Sequence, residues 1–88
     1  MTGVAAMIKV LLFANLRELA GTNRMDIESD GISSTRELIA RLNQLKPALS
    51  EVLDDETAMV SVNHKYAGWD APLKSGDEVG ILPPVSGG

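Results

Sequence analysis

Residues 8–14 read IKVLLFA, a short apolar run rich in strand formers and interrupted only by Lys9. The run ends at Asn15, and LRELAG (16–21) then reads as a single helical turn closed by Gly21. NRMDIE (23–28) follows, with Met25 and Ile27 alternating with polar residues as in a half-buried strand, and Ser29-Asp30-Gly31 breaks it. Ser34-Thr35-Arg36-Glu37 has capping-box spacing, a hydroxyl with a carboxylate three residues on. Behind it Leu38, Ile39, Leu42 and Leu45 fall at helical spacing as one apolar stripe, and Pro47 ends the helix. Residues 48–53 read as a short helical turn at the edge of the core.

TAMVSVN (57–63) is the clearest strand, with Ala58, Val60 and Val62 on one face. KYAG (65–68) is a candidate edge strand. Ser75-Gly76-Asp77-Glu78 reads as a turn into a last strand, VGIL (79–82). One main helix of about twelve residues covers only one side of a sheet, so the other side is left bare. An α+β fold meets these constraints: a β-grasp, in which a mixed sheet of four to five strands packs on one main helix. Its first and last strands would lie side by side and parallel at the centre, because a long connection can return the chain in that direction. The expected organisation is a short extension at 1–6, the β-grasp domain at 7–82 and an extended arm at 83–88.

Side chains alternate along a strand. If Ile8, Val10 and Leu12 face the helix, then Leu11 and Phe13 face outward. By the same alternation Met59 points outward when Val60 and Val62 point inward, and Leu82 lies opposite Ile81. Leu11, Phe13, Met59 and Leu82 would then form an apolar patch suited to a partner protein.

The chain has 88 residues, room for one domain with a modest core; at this size about 60–65% of the unfolded surface is buried. It contains no cysteine, which excludes a disulfide scaffold, cysteine-ligated zinc and a thiol nucleophile, and fits a reducing compartment. The net charge of −4 gives no basic footprint for nucleic acid or an anionic membrane. The opening MTGVAAMIKVLLFANL has Lys9 inside its apolar run, no basic residue before it and Arg17-Glu18 where a cleavage site should lie, so it does not read as a signal peptide. No apolar run is long enough to span a bilayer. A cytoplasmic protein is expected.

The sequence closes on PPVSGG (83–88). Pro83 and Pro84 lack backbone donors and fix φ, so the chain leaves the sheet as polyproline II. Val85 and Ser86 are small, and Gly87 and Gly88 carry no side chain. Extended, this flexible arm reaches about 20 Å and can thread its α-carboxylate through a channel too narrow for side chains. It holds no acid, base or metal ligand. Any chemistry there belongs to the Gly88 carboxylate, activated by another protein. Attack on the α-phosphate of ATP would give an acyl-adenylate. A lysine amine would convert that to a protein tag, and a sulfur nucleophile to a thiocarboxylate.

MIKVLLFANLRELAGT (7–22) together with SGDEVGILPPVSGG (75–88) resembles the small, sulfur-carrier subunits of molybdopterin synthases, a family of ubiquitin-like proteins. The resemblance rests on Arg17-Glu18 and Gly21 after the first strand, and on Asp77-Glu78-Val79, the double proline and Gly87-Gly88. It implies a ubiquitin-like β-grasp and a subunit that is not catalytic alone. Gly88 would be adenylylated by an E1-like adenylyltransferase and thiolated from a sulfur donor protein. The arm would then enter the large catalytic subunit of a heterotetramer and pass sulfur to precursor Z, two deliveries making the dithiolene of molybdopterin. No cofactor is expected to bind stably and no metal site is implied; ATP is used by the activating enzyme. Family members often carry aromatics before the prolines, where this chain has Ile81-Leu82. Related readings are a carrier for thiamine or a similar pathway, and a ubiquitin-like modifier joined through Gly88 to lysines.

The remaining residues have plainer readings. His64, the single histidine, has no co-ligand and reads as a solvated loop residue. Asp54-Asp55-Glu56 reads as a solvated acidic loop, and Trp69 near Pro72 as a cover on the core edge. Arg17 is a candidate partner contact alongside the apolar patch.

Overall fold

The computed structural model describes residues 6–53 and 57–83. The elements run β1 (Met7–Leu12), α1 (Asn15–Ala20), β2 (Arg24–Glu28), α2 (Thr35–Leu45), a 3-10 turn (Pro47–Leu49), α3 (Ser50–Leu53), β3 (Met59–Val62), β4 (Lys65–Ala67) and β5 (Glu78–Leu82). The five strands form one mixed sheet in the order β2-β1-β5-β3-β4. β1 and β5 are parallel neighbours at its centre, with Lys9 opposite Glu78 and Leu11 opposite Gly80, while the other pairings are antiparallel. This is the mixed β-grasp sheet expected from the order of the elements.

The inner face is the one that alternation selects. Ile8, Val10, Leu12, Val60, Val79 and Ile81 are buried there with Leu38, Ile39 and Leu42 of α2. The expected stripe on α2 stops one turn early: Leu45, the last residue of the helix, is 52% exposed. Leu49 and Leu53, from the turns that follow, are fully buried in the core rather than placed at its edge.

Ser34 caps α2, its hydroxyl accepting from the Glu37 amide at 3.2 Å. The reciprocal bond of the expected box falls one residue early, because the Glu37 carboxylate accepts from the Ser33 amide (2.7 Å) and hydroxyl (2.8 Å). Those two donors hold the Glu37 carboxyl below its ordinary value. The buried Thr35 hydroxyl donates to the Gly68 carbonyl and accepts from the Ala71 amide, tying residues 68–73 across the start of α2. Arg36 adds a two-pronged pair with Asp70 and lies 6.0 Å from the Trp69 ring centre. Trp69 is half-buried against the core, its indole N–H donating to the Ala58 carbonyl, as its proximity to Pro72 suggested.

Two turns use left-handed backbone. Asn63 (φ 52°) and His64 (φ 71°) form the two-residue link between β3 and β4, the arrangement that matches the twist of a hairpin. At the end of β1, the Leu16 amide donates to the Phe13 carbonyl at 3.1 Å, closing a turn with Ala14 at φ 53°, ψ −130°. That is the first central position of a type II′ turn, where glycine is the favoured residue.

Candidate partner-docking site

The outer face of the sheet is built from side chains that the core does not use. Cross-strand register sorts them into rows. Phe13, Leu82 and Met59 stand at the end where β5 leaves the sheet, Met59 lying directly opposite Leu82. The next row is Leu11, Gly80, Ser61 and Tyr66, on β1, β5, β3 and β4. Beyond it lies a charged row in which Lys9 faces Asp26 on one side and Glu78 on the other.

The apolar rows are exposed to different degrees. Phe13 is 43% exposed and Met59 37%, whereas Leu11 and Leu82 are half-buried. Tyr66, 72% exposed, belongs to the same surface and was not picked out from sequence. A three-residue edge strand shows no alternation of its own; its facing follows only from the pairing of Tyr66 with Ser61.

Gly80 lets this surface form. A Cβ built on it would lie 2.7 Å from Ser61 Oγ and 3.4 Å from the Phe13 ring, so the ring leans over a strand that has no side chain to hold it off. Beside it is a shallow depression of about 240 Å³ lined by Phe13, Ser61, His64, Tyr66 and Leu82. One end is apolar and the other carries two hydroxyls and an imidazole.

The depression has no reactive arrangement of its own. Ser61 and His64 share it, but among the described residues no hydrogen bond links them, so nothing activates the serine. His64 is exposed, as its turn position implied, and its Nε2 lies 3.3 Å from Glu78 Oε2, with Lys9 Nζ 3.9 Å from the other carboxylate oxygen. Among the described residues no group of histidines and carboxylates could hold a metal ion.

Asp77, read as part of a turn, is buried. Its carboxylate accepts from the Lys74 amide (3.0 Å) and the Asn63 side-chain amide (3.1 Å), while Asn63 Oδ1 accepts from the Glu78 amide. The Lys74 amide, then Asn63, holds the Asp77 carboxyl below its ordinary value. This network locks the β3–β4 hairpin to the start of β5 and so sets the floor of the face. The signal was present as Asn63 in one turn and Ser75-Gly76-Asp77 in another, but their pairing depends on tertiary structure.

The structure therefore brings Leu11, Phe13, Met59 and Leu82 onto one face, with Pro83 following directly after Leu82. Arg17 is exposed on α1 and makes no ion pair among the described residues. Pro84, Val85, Ser86, Gly87 and Gly88 lie outside the described residues, as do Met1–Ala5 and the acidic run Asp54-Asp55-Glu56.

Residues 10–88 match the ThiS family. The chain belongs to the ThiS family. Among relatives of this ThiS-family chain, the molybdopterin synthase sulfur carrier subunit of Chlamydomonas reinhardtii is 41% identical over 83 residues, spanning 92% of this chain and 98% of its own. The crystal structure of SAMP1 from Haloferax volcanii superimposes with a TM-score of 0.80 at 33% identity, over 93% of the ThiS-family chain and 99% of SAMP1. A solved complex of subunits 1 and 2 of the molybdopterin-converting factor from Helicobacter pylori 26695 contains a chain that matches with a TM-score of 0.62 at 29% identity, over 93% and 99% of the two chains.

Proposed function

We propose that this chain is the sulfur-carrier subunit of a molybdopterin synthase, working in the cytoplasm as a core at 7–82 that presents a reactive arm at 83–88. The observation that carries the reading is the continuity of β5: the strand that floors the exposed apolar face continues directly into the arm at Pro83. A partner seated on Phe13, Met59 and Leu82 is thereby placed to receive the arm. The Helicobacter complex of two subunits supports a large catalytic subunit as that partner.

The chemistry resides at the Gly88 carboxylate. An E1-like adenylyltransferase joins it to the α-phosphate of ATP with loss of pyrophosphate. A persulfide of the donor protein then displaces AMP to give an acyl disulfide, and a thiol cleaves its S–S bond, leaving the thiocarboxylate on the carrier and a disulfide on the donor side. In the large subunit the thiocarboxylate sulfur bonds to precursor Z, water cleaves the acyl–sulfur bond and the carrier returns as a carboxylate, so two carriers supply one dithiolene. Lys9 and Glu78 on the sheet, and His64 in the turn between β3 and β4, border the face rather than the arm.

The test is incubation with an E1-like enzyme, ATP and a sulfur donor, followed by intact mass and sequencing of the terminal peptide. Sequencing is needed because oxidation of a methionine adds the same nominal mass as replacing oxygen by sulfur. The expected result is a gain confined to Gly88, absent from a chain lacking Gly88 that is otherwise folded. An unmodified terminus, under conditions that thiolate an established carrier, would overturn the reading. A second reading has specific support in the likeness to SAMP1, the small archaeal modifier protein 1 of Haloferax volcanii: Gly88 joined to lysine amines of target proteins. Isopeptide-linked adducts in the same incubation would favour it.

A further inference from the structure

Met59 has a chemical property that its apolar neighbours on the docking face lack. It is 37% exposed on that face, opposite Leu82 and one residue from Pro83 across the register. Met7 is equally exposed, at 38%, but lies on the far side of the row formed by Asp26, Lys9 and Glu78. Met25 is half-buried on the inner face. The chain has no cysteine, so its thioethers are the groups most readily oxidised.

We propose that Met59 is an oxidation-sensitive site whose conversion to the sulfoxide releases the carrier from its large-subunit partner; this rests on the docking reading above. In the step, the Met59 sulfur attacks one oxygen of hydrogen peroxide. The O–O bond breaks and an S–O bond forms. Water leaves, with sulfur oxidised by two electrons and peroxide reduced by two. The product places a polar, strongly accepting S=O where the surface had an apolar side chain. Leu82 and Phe13 in its own row offer it no side-chain donor, and the hydroxyls of Ser61 and Tyr66 stand one row away. Seating the partner over it would strip that oxygen of water. Beneath a seated partner such an unpaired polar group costs at least the ~1.4 kcal/mol that corresponds to a factor of ten in Kd. Sulfoxide at Met7 lies outside the apolar rows and leaves docking unchanged.

The test treats the unthiolated full chain with hydrogen peroxide, removes the oxidant, confirms the site by peptide mass and measures affinity for the untreated large subunit by calorimetry. Oxidised wild type should bind about ten-fold or more weakly than untreated wild type. Oxidised Met59→Leu should keep the affinity of its untreated form, oxidised Met7→Leu should lose as much as wild type, and Met59→Gln should bind weakly without peroxide. The proposal is overturned if wild type carrying Met59 sulfoxide binds as before, or if Met59→Leu remains peroxide-sensitive. Failure of untreated wild type to bind would instead overturn the docking reading, and the untreated arm reports that separately.

Discussion

Replacing Ala14 by glycine should make this protein more stable, the reverse of what glycine does at most positions. Ala14 sits at φ 53°, ψ −130° between β1 and α1, held by the Leu16 amide on the Phe13 carbonyl and the Phe13 amide on the Ile81 carbonyl. A non-glycine residue in such a conformation costs about 1–3 kcal/mol. Glycine removes that strain but loses about 0.4–1 kcal/mol to the greater freedom of its unfolded chain. The net is a stabilisation of about 1.3 kcal/mol at mid-range and up to about 2.6, and for a domain of this size each kcal/mol raises the midpoint by about 4–8 °C. Ala14→Val carries the opposite sign, since a β-branched side chain fits this backbone worse than alanine. Urea titrations and thermal melts of the three proteins measure it, with equal m-values required for the comparison. A glycine variant no more stable than wild type, or a valine variant as stable, would refute the turn geometry on which the argument depends.

Two other substitutions separate docking from folding. Phe13→Asp should leave the monomer folded by circular dichroism while weakening binding to the large subunit. The 43% of the residue that is exposed corresponds to about 2 kcal/mol of burial, roughly thirty-fold in Kd, and unchanged affinity would discard the face as a docking site. Asp77→Asn tests the network beneath that face through its pH dependence. Because the folded carboxyl titrates below its ordinary 3.8, the folded state binds fewer protons than the unfolded chain in that range. The stability Asp77 contributes is therefore complete above the ordinary value and is lost as pH falls through the depressed one. The wild type should exceed the variant in urea midpoint at pH 7, with the gap closing in acid; a gap independent of pH would remove the charge from the account.

The parts of this fold that sequence revealed are those governed by a short period. Alternation in IKVLLFA, TAMVSVN and VGIL separated inward from outward side chains correctly, because β1, β3 and β5 each bury one face against helices. Helical spacing was a weaker guide at the end of α2. Leu45 continues the stripe arithmetically, but the helix stops there and Leu49 and Leu53 are the leucines that bury. Tyr66, Gly80 and Asp77 were not legible as parts of a site, since each acquires its place from a strand or loop distant in sequence. Ala14 carries no signal either, because nothing in an alanine announces a positive φ. The outward placement of Leu11, Phe13, Met59 and Leu82 was accessible, whereas the depression they border required the register.

The central position of β5 also decides how the chain must fold. β1 with β2, and β3 with β4, are antiparallel pairs that can form from local sequence, yet the two pairs are not neighbours in the sheet. β5 lies between them, with Asp77 just before it bonded to Lys9 on one side and Asn63 on the other, and β5 finds its β1 partner some seventy positions back along the chain. Its pairing with β3 spans far less chain, Val79 lying opposite Val62, so the β1 pairing is the more costly closure of the two. In the folded sheet the inner edge of each pair is covered by the strand that bears the arm. A cleavage before Glu78 would remove the sheet's keystone along with the tail, leaving no folded core to occupy the docking partner unproductively.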